Sequence, residues 1–74
     1  MKTGPKHAEG GASYEALAEN LTGDARVNAY KTAAAEYRAA LRATIKQRDR
    51  AKLQHDIARC VAEWEEAEYN NERR

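Results

Sequence analysis

His55 and Cys60 are the side chains here best suited to metal binding or nucleophilic chemistry, and their spacing works against both. Five residues apart on a helix, they project about 140° from one another, so one ion cannot take both. Asp56 or Glu63 shares a helical face with Cys60, yet a tetrahedral zinc site needs ligands that the sequence does not place nearby. No Gly-rich phosphate loop precedes a helix, and no Glu-x-x-His pair of the di-iron type occurs. A catalytic cysteine also wants a neighbouring base and a cleft, which a short helical chain is poorly placed to build. Cys60 therefore reads as a small buried hydrophobe. The expectation is a protein that is not an enzyme, with no metal, no cofactor and no small-molecule substrate.

Charge is the stronger lead. The net formal charge of +1 conceals a division: residues 24–59 hold nine basic and four acidic side chains, whereas residues 60–72 hold five acidic and none that is basic. Arg38, Arg42 and Lys46 recur at helical spacing, with Arg48, Arg50 and Lys52 just beyond, and these six are the candidate nucleic-acid contacts. No helix-turn-helix, zinc finger or basic region leading into a zipper accompanies them. The plainer reading is a solvated face whose charges pair within a turn, as Asp49 can with Lys46 or Lys52. A third reading is self-assembly, in which antiparallel pairing brings the basic middle of one copy to the acidic end of another. Glu63, Glu65, Glu66 and Glu68 surround Trp64, which either anchors a basic partner or lies buried on an apolar stripe. Negative charge near a helix C-terminus is unfavourable, so a basic partner for this end is attractive.

The elements that position these charges follow from composition and period. Residues 24–70 contain neither glycine nor proline and are built largely from Ala, Arg, Glu, Lys, Gln and Leu, which predicts helix. Val27, Tyr30, Ala34, Tyr37, Leu41 and Ile45 recur at spacings of three and four, as do Leu53, Ile57, Cys60, Trp64 and Ala67. The two stripes are out of phase: with Val27 at heptad position a, the first falls at a and d and the second at f and c. An antiparallel helical hairpin turning near Arg48 to Arg50, with Asp49 as N-cap and arms of about 35 Å, brings them together. The alternative is one continuous helix of about 70 Å that offers its stripes to different partners.

Residues 1–12, with four of the chain's five glycine and proline residues, lack periodicity and read as a flexible N-terminal tail. Ser13 then caps a short helix over residues 14–22 that docks through Tyr14, Leu17 and Leu21. Gly23 is placed to end it, and Asp24 to cap the next. Residues 13–70 form one all-helical domain in this reading, and residues 71–74, after the C-capping Asn70 and Asn71, a frayed tail.

The fold class expected is all-α, and its core is thin. With one cysteine and hence no internal disulfide, self-association or a partner is the expected source of further stability. No signal peptide or apolar run long enough to span a membrane is visible, so a cytoplasmic protein without a membrane partner is expected. Abundant alanine, and eight Arg against five Lys, suggest a GC-rich bacterial or phage coding sequence. The function expected is a small protein-interaction module, meaning an adaptor, an inhibitor of a larger factor or an assembly component. It would act through its divided charge and through Tyr30, Tyr37, Leu41, Ile45, Leu53, Ile57 and Trp64. The alternative is a nucleic-acid-associated protein using the basic region at 38–52.

Overall fold

Alanine-rich sequence interrupted only near residues 20 and 45 yields three helices in the computed structural model, which describes residues 4–72. They are α1 (Gly4–Glu19), α2 (Gly23–Ala43) and α3 (Gln47–Glu72), and no strand occurs among the described residues. Successive helices run antiparallel. His7 of α1 meets Glu36 of α2, Lys31 of α2 meets Glu68 of α3, and Asn71 near the end of α3 meets Asp24 at the start of α2. α2 lies in the middle, packed against both neighbours, while α1 and α3 approach each other much less closely. The long dimension is 43 Å, which rules out one unbroken helix over residues 24–70.

The hairpin turns at residues 44–46, ahead of the expected Arg48 to Arg50. Thr44 and Ile45 are β-branched and less content in a helix than their neighbours, and Thr44 takes an extended conformation with φ −103° and ψ 130°. Asp49 consequently lies in the first turn of α3 and is not its cap, while the Arg50 N–H bonds the Lys46 carbonyl. Arg50 also closes the end of α2: its Nη1 donates to the carbonyls of Leu41 and Thr44, both at 2.9 Å. The Leu41 carbonyl also accepts the Thr44 N–H at 3.2 Å, so the guanidinium adds a second donor there, supplies one to the Thr44 carbonyl, and cancels part of the negative helix terminus. Across the hairpin the two out-of-phase stripes now face one another. Ala33, Ala34, Tyr37, Ala40, Leu53 and Cys60 form one buried cluster, with Leu41, Ile57 and Trp64 packed on its edge.

The first helix corrects the sequence reading most. Residues 4–12 are helical, not a tail, and Ser13 lies inside α1; residues 1–3 fall outside the described chain. Gly10 and Gly11, which read as breakers, are the notch that lets α1 approach α2. A Cβ on Gly11 would stand 2.9 Å from ring atoms of Tyr37. α1 therefore docks through Ala8, Gly11, Glu15 and Ala18, and the expected docking residues Tyr14 and Leu17 are left exposed. Of the three expected docking residues, Leu21, just beyond the helix, does pack on the second cluster, made by Ala18, Ala29 and Tyr30.

At the opposite end, α1 stops at Glu19 and Gly23 takes the left-handed conformation, φ +63°, as the chain turns into α2. Thr22, not Asp24, is the N-cap residue, and the Asp24 carboxylate instead accepts a 2.9 Å hydrogen bond from Asn71 Nδ2. α3 continues through Asn71 to Glu72, so the expected frayed tail is helical there, and residues 73–74 lie outside the described chain.

Two glycines one residue apart make opposite predictions. Gly11→Ala drives a methyl into the rigid Tyr37 ring and is expected to destabilise by about 1–3 kcal/mol. Gly10→Ala meets only the movable end of Glu36 and is expected to be neutral or to stabilise by up to about 1 kcal/mol, the usual helical gain. Chemical denaturation of the two variants measures both. In the same assay Arg50→Ala should cost about 1 kcal/mol through the lost carbonyl contacts, while Arg48→Ala, exposed two residues earlier, should leave stability unchanged.

Candidate interaction site

One polar junction joins all three helices. The Glu15 carboxylate of α1 accepts hydrogen bonds from Tyr37 Oη of α2 at 2.6 Å and from Arg59 Nε and Nη2 of α3 at 2.9 and 2.7 Å. Asp56 holds the other edge of the Arg59 guanidinium at 3.0 Å. The bidentate Arg59 contact keeps the Glu15 carboxyl below the usual carboxylate range, with Tyr37 adding to the effect and partial burial opposing it. Burial and the neighbouring Glu15 carboxylate raise the Tyr37 hydroxyl, and the two carboxylates raise Arg59.

Cys60 lies beside this junction with no exposed surface, and burial followed by the Glu15 charge pushes its thiol up to about 12. Such a thiol stays protonated at neutral pH and is not a ready nucleophile. His55 stands apart on the exposed side of α3. Among the described residues no group of three or more His, Cys, Asp or Glu side chains is placed to hold a metal ion. The junction is best understood as a clamp that fixes the helices.

The apolar residues expected to meet a partner separate into three environments. Tyr30, Tyr37 and Leu53 are buried within the chain's own core. Leu41, Ile57 and Trp64 are half-buried on the edges of that core, Trp64 touching both clusters. Ile45 is different: the turn at residues 44–46 lifts it off the first stripe and leaves it 93% exposed at the tip of the hairpin. Its removal from the stripe had a legible cause in the adjacent β-branched pair Thr44 and Ile45.

The hairpin also sorts the charges in space. Arg38 and Arg42 on the last turns of α2, Lys46 in the connection, and Arg48 and Lys52 at the start of α3 are all exposed toward the turn end of the hairpin. Arg50 is the exception among the six basic candidates, because its guanidinium is committed to the α2 carbonyls. Asp49 is the acidic residue at this tip. At the far end Glu19, Asp24, Glu65, Glu66 and Glu72 are exposed, with Glu63 and Glu68 half-buried beside them. Among the described residues there, Lys31 lies 3.6 Å from Glu68, and the Arg26 guanidinium sits 5.7 Å over the Tyr30 ring. An open depression of about 290 Å³ lies at this acidic end, between the start of α2 and the end of α3, lined by Gly23, Arg26, Glu63, Glu66, Ala67 and Asn70 among others.

Fold and surface thus define an antiparallel three-helix protein whose described residues place opposite charge at its two ends. No helix among the described residues is long and apolar enough to cross a membrane. No family model matches this chain, and comparisons with curated proteins and with solved structures find no match.

The Glu15 clamp makes stability acid-sensitive with a definite sign. Because the folded protein holds this carboxyl below its ordinary value, its stabilisation is complete above the unfolded value of about 4.3 and is lost as pH falls through the folded one. Glu15→Gln should reduce stability at neutral pH by about 1–3 kcal/mol and flatten the loss of stability below about pH 4, measured by thermal unfolding across an acid series.

Proposed function

We propose that this chain is a non-catalytic protein-interaction module whose contact surface is the tip of the α2–α3 hairpin. The observation that carries this reading is Ile45, a large aliphatic side chain 93% exposed in the α2–α3 turn, with exposed Arg42, Lys46 and Arg48 within three residues of it in the chain. An aliphatic residue so exposed gains the most from being covered, and the surrounding cations favour an acidic rim on whatever covers it. The stripe residues Tyr30, Tyr37 and Leu53 have little surface left to offer, so recognition falls to the tip and to the charged ends.

A second reading, nucleic-acid association, is favoured by the gathering of Arg38, Arg42, Lys46, Arg48 and Lys52 at one end. It predicts affinity for duplex DNA that falls steeply with salt and is abolished by Arg42→Glu with Arg48→Glu. The isoleucine distinguishes the two, since phosphate contact has no use for an aliphatic side chain at the centre of the basic cluster.

A photoreactive amino acid in place of Ile45, in cells expressing the chain, tests the proposal. The expected result is a discrete protein adduct, to another protein or to a second copy, that is absent when the same group replaces the exposed Ala58. Adducts to nucleic acid alone, or equal labelling from both positions, would overturn it.

A further inference from the structure

The two ends of this molecule complement each other in sign and in shape, and they are too far apart to meet within one chain. The basic tip presents a protruding Ile45; the acidic end presents an open, mainly polar depression lined by Glu63, Glu66, Ala67 and Asn70, with Arg26, whose guanidinium sits over the Tyr30 ring, on its α2 side. At about 290 Å³ the depression exceeds the roughly 150 Å³ of an engineered cavity that accommodates benzene, so its volume admits an isoleucine side chain. The long dimension of 43 Å separates tip from depression.

We infer that copies of this chain associate head to tail, the Ile45 tip of one seating in the depression between the α2 start and α3 end of the next. This rests on the reading of the tip as an interaction surface and names its partner as a second copy. In the contact, Ile45 packs toward Ala67, and Arg42, Lys46 and Arg48 approach Glu63, Glu66 and the neighbouring glutamates. The carboxylates near the C-terminus of α3 sit unfavourably against the helix dipole, and cations from the next copy relieve that repulsion. The donor surface and the acceptor surface differ, so the contact is heterologous. One copy leaves a free tip and a free depression on the pair it forms, and growth continues until a ring closes or a filament forms.

Sedimentation velocity on the full chain over a concentration series, at about 0.01 M salt where the screening length is about 30 Å, reads this directly. The expected result is a mass that rises with concentration beyond two copies and collapses to one copy at high salt. Ile45→Asp should be a monomer with an unchanged unfolding temperature, and so should Glu63→Lys with Glu66→Lys. Each variant keeps one surface intact, so an equimolar mixture should recover twice the monomer mass and stop there.

A wild-type chain that stays monomeric at low salt overturns the inference. So does assembly that closes at two copies, as side-by-side antiparallel pairing would, or a mixture that remains monomeric. A photoadduct from position 45 to a different protein, with no self-association, would overturn the inference while leaving the interaction module standing.

Discussion

The fold depends on how α1 is held, because this helix contributes almost no large apolar side chain to the core. Its inward face is Ala8, Gly11 and Ala18, and its larger residues Tyr14 and Leu17 point away. Two things hold it there. The glycine notch lets the backbone lie against the Tyr37 ring, where close packing substitutes for side-chain area. The Glu15 carboxylate then ties Tyr37 and Arg59 together across the groove between α1 and α3, so the helix least able to bury surface is the one secured by charge-assisted hydrogen bonds. Without that junction α1 would rest on α2 alone, since it meets α3 chiefly through side chains.

Folding converts a linear charge pattern into poles. In the unfolded chain, the basic block simply precedes the acidic one; in the hairpin, the end of α2 and the start of α3 add their cations at one tip. The end of α3 and the start of α2 bring carboxylates to the other. Arg50 is withdrawn from the basic pole by its two carbonyl contacts, and Lys31 from the acidic pole by Glu68. A net charge of +1 thus describes a molecule with strong local fields of both signs.

Much of the hairpin was legible in the sequence. Uninterrupted helix formers and two stripes at helical spacing announced helix over residues 24–70. Their phase difference was compatible with a hairpin or with one continuous helix, and the 43 Å long dimension decides for the hairpin. The position of that turn was misjudged because polar Lys46 to Lys52 reads as a gap in the stripe, whereas the decisive local feature is the β-branched pair Thr44 and Ile45. The first helix was hidden for a different reason. Adjacent glycines signal disorder unless a bulky partner fills the space they leave, and Tyr37 lies 26 residues away from Gly11. The Glu15–Arg59 clamp spans 44 residues and has no local signature at all. At the tip, the basic residues were visible individually, but the exposure of Ile45 emerges only once the turn is placed.

The burial of Cys60 makes this protein its own reporter. The thiol is the chain's one cysteine, has no exposed surface, and sits beside the junction where α1, α2 and α3 converge. An alkylating reagent can reach it only after the helices part, and the raised thiol keeps it unreactive until they do. The rate at which that single sulfur is modified is therefore a clock for the opening of the bundle, ticking at the one place where loosening any helix is felt.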